Sequence, residues 1–168
     1  MHIRRTQERD LPAIAQIFAL GIERQHREGN YSQWRADYPT VNDVTQDIQH
    51  GTGWVCVADD DHTVLGTWAL GTYEAVYDQL KSGRWSVNRP YHVIHRLGTM
   101  PGHGAGTFIM RYLQAHYDYL RVDTFEQNAS MIALLKKTGF TPCGVAYYEG
   151  FGDMLTFDYL RPAHQPNP

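Results

Sequence analysis

Apolar and polar positions along this chain follow two periods, and each period marks a different kind of element. Leu11, Ile14, Ala15, Phe18 and Ile22 recur at helical spacing behind Asp10, a capping residue, with Pro12 in the first turn. A short strand near "HIRRT" precedes that helix, and "NYSQWRADYPT" after it reads as an aromatic, turn-like stretch. "TVNDVTQDIQHG" predicts a short helix stopped by Gly51. "GWVCVADDDHTVLGTWALGTY" places two apolar strands around an Asp-rich turn, a hairpin. "EAVYDQLKSGRWSVNRP" fits either a short helix or an excursion, and "YHVIHRLGT" is a strand. The helix within "TMPGHGAGTFIMRYLQAHY" would bury Ile109, Tyr112, Leu113 and His116. "YLRVDT" is the next strand, and "QNASMIALLKKTGF" a helix with Met131, Leu134 and Leu135 inward and Gly139 as its stop. "TPCGVAYYEGFGDMLTFDYL" closes the chain as a hairpin before a loose tail. We expect one domain over residues 1 to 161, with 162 to 168 as a flexible tail, and an α/β mixed sheet.

The order strand, glycine turn, helix, strand carries the first chemical signal. A crossover of this kind makes two parallel neighbours with a right-handed connection, and it leaves the helix N-terminus at the carboxyl end of the first strand. The first amides of that helix have no internal acceptors and sit at the positive end of the peptide dipoles, so they suit a phosphate. Gly102, Gly104 and Gly106 leave no Cβ between such a phosphate and the backbone. They weaken the helix start by about 0.5 to 1 kcal/mol for each one in the helical turn. No lysine follows Gly106 as a Walker A loop requires, and the third position of a dinucleotide fingerprint falls on Thr107 or Ile109. Both nucleotide motifs therefore fail, and a plain glycine-rich turn is the alternative to a binding loop.

Composition narrows the partners. The 168 residues suit a single core that buries about two thirds of the unfolded surface. A formal charge of −3 without a Lys/Arg cluster argues against nucleic acid and acidic membrane lipids as partners. "LPAIAQIFALGI" is helix-periodic and too short to span a bilayer, so the expectation is a soluble, cytoplasmic protein. Cys56 and Cys143 sit in apolar, β-branched runs and read as buried free thiols.

Two stretches together resemble one family. "PGHGAGTFIMRYL" is similar to the acyl-CoA-binding segment of the GCN5-related N-acetyltransferases (GNAT), whose Q/R-x-x-G-x-G/A pattern falls on Pro101, Gly102, His103, Gly104, Ala105 and Gly106. "DTFEQNASMIALLKKTGF" resembles the family's second signature, an Asn opening a helix that ends in Gly-Phe. The order and separation of the two also match, so the resemblance covers nearly the whole chain. "YPT" near residue 38 and "YHVIHR" near 93 resemble a group of small bacterial acetyltransferases whose acceptors are mostly unassigned. The resemblance implies the GNAT fold, a mostly antiparallel sheet with one splayed parallel strand pair flanked by helices. It implies acetyl-CoA as co-substrate and no metal. It places the cofactor-binding residues at Leu97, Gly98, Thr99, Gly102, His103, Gly104, Ala105, Gly106, Thr107, Asn128 and Lys136, with a backbone oxyanion donor around Leu97 to Thr99. Two departures stand out. Pro101 replaces the family's Gln or Arg, removing one phosphate contact, and Leu135 occupies the place of a tyrosine that protonates the leaving thiolate.

The chemistry implied is acyl transfer from a thioester to an amine, which needs a base to free the nucleophile from an ammonium of ordinary pKa near 10.4. His95 is the first candidate, because a two-residue period puts it on one strand face with Val93, Leu97 and Thr99; a core histidine is the plainer reading. Glu74 is the second, against an ordinary exposed carboxylate. Tyr147, with Tyr148 beside it, could stand in for the missing acid. His92 and His95 face opposite ways on a strand, so a zinc pair is set aside. Tyr31, Trp34 and Tyr38 would wall the acceptor site. The sequence thus points to an N-acetyltransferase acting on a primary amine of a small molecule or peptide. A CoA-binding regulatory or sensor module without turnover is the alternative, and a homodimer is left open.

Overall fold

A computed structural model describes residues 1–162. The helices and strands expected from periodicity largely form. Helices α1 (Leu11–Arg27), α2 (Val41–His50), α3 (Ala105–His116) and α4 (Ala129–Lys137) flank one sheet of eight strands. The strands are β1 (His2–Arg5), β2 (Gly53–Val57), β3 (Val64–Gly71), β4 (Ser82–Gly83), β5 (His92–Thr99), β6 (Tyr119–Thr124), β7 (Thr141–Tyr148) and β8 (Gly152–Leu160). Their order across the sheet is β1-β2-β3-β5-β6-β8-β7-β4. The ambiguous stretch after β3 resolves into one 3-10 turn, Ala75–Tyr77, and the two-residue β4.

Strand β2 shows how the sheet separates two cores. Its Val55 and Val57 meet Ile14, Ile17 and Phe18 of α1 and Val44 of α2, while Cys56 between them joins Ile109, Leu113 and Leu135 of α3 and α4. Each fully buried Ile or Leu here contributes about 2 kcal/mol. Thr40 and Asp43 form a capping box on α2, and Gly51 ends it in the left-handed conformation. Among the described residues no helix is long and apolar enough to cross a membrane.

Several expectations change in detail. Asp10 does not cap α1 with its side chain; its carboxylate takes two hydrogen bonds from Arg4 at 2.7 and 2.9 Å and one from the Gln7 amide at 2.8 Å. Ile17 and Gly21, not Ala15, complete the buried stripe of α1. On α3 the stripe is Ile109, Met110, Leu113 and Gln114, whereas His116 is exposed and Tyr112 half-buried. Cys56 is buried, but Cys143 is only partly so.

Every neighbouring strand pair is antiparallel except β5–β6, and that parallel pair is registered only at His92↔Leu120 and Val93↔Arg121. Beyond Val93 the strands part. A bulge accompanies the parting: Thr67 pairs Gly98 and Ala69 pairs His95, so Trp68 stands opposite both Arg96 and Leu97. Arg96 takes φ 52° to accommodate it. The extra residue reverses the alternation, which corrects the shared face expected for His95, Leu97 and Thr99. Leu97 joins Ile94 in the α3 core, and a Cβ on Gly66 would meet both Ile109 of that core and Thr99. Val93 belongs to a separate small core with Tyr77, and His95 lies on the Val93 side.

Candidate active site

The parted strands open a cleft of about 290 Å³, and the N-terminus of α3 forms one of its walls. Gly102 and Gly104 enter that helix at φ 83° and 70°, where a Cβ would be strained, and nothing stands within 4 Å of where one would project. Gly106 differs: a Cβ there would come 3.2 Å from Leu134, so its missing side chain serves the close approach of α3 to α4, a correction to the sequence reading that assigned it to phosphate access. The first helical bond across the start runs from the Phe108 amide to the Gly104 carbonyl. The amides of Ala105, Gly106 and Thr107 donate to no protein acceptor among the described residues. The cleft-facing edge of β5 is likewise unpaired from Ile94 to Thr99, which leaves main-chain donors there.

Across the cleft, α1 and the loop after it supply polar side chains. Arg24 lines the cleft, forms no ion pair among the described residues, and has a buried Nε without a partner. Gln33 ties the loop to the far side: its Oε1 accepts from Asn128 Nδ2 at 2.9 Å and from Thr124 Oγ1 at 3.3 Å. Asn128 in turn caps α4, accepting from the Met131 amide at 3.2 Å. Trp34 is buried because two glycines make room for its ring; a Cβ would come within 2.4 Å of it on Gly21 and 3.2 Å on Gly98.

A second cavity of about 310 Å³ continues from the cleft and shares Gln33, Trp34, Ile94, Arg96 and Asp123 with it. Its acidic side holds Glu74, whose Oε2 lies 3.5 Å from His95 Nε2. Burial raises the Glu74 carboxyl above the usual carboxylate range and lowers His95 to about 4, with Arg96 adding to the latter. His95 is therefore neutral at pH 7. Asp123, on β6, accepts at Oδ2 from Tyr77 at 2.8 Å and from Tyr148 at 2.6 Å. Burial pushes Asp123 up to about 6 against the pull of those hydroxyls. Arg96 is ion-paired, its Nη2 donating to both oxygens of Asp47 at 2.5 and 2.7 Å, while its buried Nε has no partner.

The sequence-derived residues divide accordingly. Leu97, Thr99, Gly102, Gly104, Ala105, Gly106, Thr107 and Asn128 line the cleft together. His95, Glu74, Trp34 and Tyr38 line the second cavity. Gly98 turns its Cα toward α1 and Trp34, and His103 is exposed outside the lining. Lys136, exposed in the last turn of α4, is remote from the helix end that Asn128 caps. Tyr31 is 66% exposed against His26, and Tyr147 is 54% exposed beside Lys81. Neither touches the cavities; Tyr148 faces the second one in place of Tyr147. Leu135 is fully buried in the α3 core. Sequence reasoning missed Arg24, Gln33, Asp123 and Phe151. Among the described residues no three His, Cys, Asp or Glu side chains gather where a metal ion could be held.

The splayed parallel pair, the glycine loop opening a helix with free amides, and the cleft between them form one continuous site. No protein-family model and no curated protein sequence matches the chain. Solved structures do. A GNAT-family acetyltransferase from Streptococcus agalactiae is 28% identical, with a TM-score of 0.85 over 96% of this chain and 95% of that one. A ribosomal-protein-alanine N-acetyltransferase from Brucella melitensis shares the fold at 19% identity and TM-score 0.64, over 95% and 99% of the two chains. So does a phosphinothricin acetyltransferase of the GNAT superfamily from Sinorhizobium meliloti, in complex with acetyl-CoA, at 14% identity and TM-score 0.62 over 98% and 92%. The chain has the GNAT fold, and the family resemblance read from its sequence holds.

Proposed function

We propose that this protein is an acyl-CoA-dependent N-acetyltransferase that moves an acetyl group from acetyl-CoA to a primary amine of a small molecule or peptide by direct attack. The observation that carries the reading is the set of free amides at Ala105, Gly106 and Thr107, open to a cleft that continues into an acidic cavity. Those amides and the open approach past Gly102 and Gly104 fit a diphosphate. Arg24 supports the same assignment, since an unpaired guanidinium in the cleft supplies the anion contact that Pro101 cannot.

Acetyl-CoA supplies an activated acyl carbonyl. The protein's part is to place it, with the unpaired edge of β5 near Leu97 donating to the carbonyl oxygen, and to deprotonate the amine. His95 was the first candidate on sequence, but a group of pKa about 4 is a poor proton acceptor. Glu74 is the better base: its raised pKa lies closer to the working pH, and it borders the acceptor cavity. The ammonium gives one proton to Glu74, the freed nitrogen forms the new C–N bond, the C–S bond breaks, and the second nitrogen proton leaves with the thiolate as thiol or passes to solvent. A thiol of ordinary pKa near 8.5 leaves tolerably as thiolate, so no tyrosine at position 135 is required. The test is CoA release, read with a thiol reagent, from acetyl-CoA and a panel of amines. Saturable release with an acetylated amine by mass spectrometry is expected, and CoA binding without release from any amine would leave a binding module instead.

A further inference from the structure

The walls of the second cavity say what kind of amine it takes. Trp34, Tyr38, Tyr148 and Phe151 give it an aromatic lining, with Tyr38 and Phe151 edge-to-face at 6.0 Å. Its ionisable members are Glu74, Asp123, His95 and Arg96. Arg96 is bound to Asp47, and Arg35, stacked over Phe151 at 4.8 Å, lies 3.2 Å from Asp37. Each guanidinium at the cavity thus already has a carboxylate. His95 is neutral at pH 7, and Asp123 holds two tyrosyl hydroxyls. Glu74 alone remains as a carboxylate with no hydroxyl or guanidinium on it. A substrate carboxylate would face Glu74 and Asp123, and the unpartnered Nε it could meet on Arg96 belongs to a guanidinium already neutralised by Asp47. A second ammonium would have to share Asp123 with two hydroxyls. An apolar body would meet rings.

We infer that the acceptor is a primary monoamine with a flat apolar body and no carboxylate, its ammonium directed to Glu74 and its body laid against the touching rings of Tyr38 and Phe151. This rests on the acetyl-transfer reading above. The test compares 2-phenylethylamine, phenylalanine, putrescine and a peptide with a free N-terminus in the CoA-release assay. Phenylalanine differs from the first only by the carboxylate, and its kcat/KM is expected to be lower by on the order of a hundredfold or more. Phe151→Ala, a change in the turn between β7 and β8, is expected to raise KM for 2-phenylethylamine about tenfold with kcat preserved. Release led by phenylalanine, putrescine or the peptide, or an unchanged KM in Phe151→Ala, overturns this inference alone. No release in any arm overturns the acetyl-transfer reading and this inference with it.

Discussion

Replacing Asp123 by Asn removes one charge from the junction of the two cavities while keeping an oxygen that can accept from Tyr77 and Tyr148. The magnitude follows from the carboxyl's own midpoint. It moves from 3.8 to about 6 on folding, so ionising Asp123 within the fold costs about 3 kcal/mol more than in the unfolded chain. A carboxyl whose folded midpoint is the higher one contributes stability that is full below the unfolded midpoint and is lost as pH rises through the folded one. Wild-type stability should therefore carry a falling component between about pH 4 and pH 6. Asp123→Asn should lack that component. Because Asp123 borders two cavities that water can enter, about 3 kcal/mol is the ceiling for the gain at pH 8. Urea denaturation of both proteins at intervals from pH 4 to pH 8 measures it. The two curves should converge at pH 4 and separate by pH 7, with the variant more stable. A difference that stays constant across the range, or a variant less stable at pH 8 by more than it is at pH 4, would refute the assignment of Asp123 as a strained carboxylate.

Glu74→Gln should lower kcat by about 10²- to 10⁴-fold with CoA affinity unchanged in calorimetry, as expected for loss of a general base. Arg24→Ala should raise the Kd for CoA by about tenfold and leave the Kd for pantetheine, which has no phosphate, where it was; equal losses for both would deny Arg24 a phosphate contact. Gly104→Val should cost about 1 to 2 kcal/mol of stability in denaturation, because φ is 70° there. In the same variant, CoA binding should fall by much more than stability does, since the branched side chain would occupy the open space at the helix entrance.

Much of the architecture was legible because local chemistry and topology agree. The strand, glycine loop and α3 form one continuous signal in "YHVIHRLGTMPGHGAGTFIMRYL", and the free amides lie where that signal places them. Thr40 with Asp43, and Gly51 and Gly139 in left-handed geometry, mark helix ends by caps that are visible in the residues themselves. The bulge was not legible. Its left-handed residue is Arg96, with no glycine to announce it, and a single inserted residue moves His95 off the face that strict alternation assigns. The same dependence on parity separates Tyr148 from Tyr147. Strand β7 also carries a register shift, between Pro142 and Gly144, so counting from its start misplaces the pair. Two signals were present and unused. Ile17, Gly21 and Arg24 recur at helical spacing, so a guanidinium on the buried stripe of α1 was readable as a polar group needing a partner. Asp123 in "YLRVDT" is an acid inside an apolar strand, which calls for donors such as Tyr77 and Tyr148. The identity of those donors depends on contacts far apart in sequence.

The most direct test is a crystal structure of the complex with CoA. The account places the diphosphate oxygens within hydrogen-bond distance of the Ala105, Gly106 and Thr107 amides, and the sulfur beside Leu97 where the cleft meets the acidic cavity. A diphosphate bound away from those amides would contradict it.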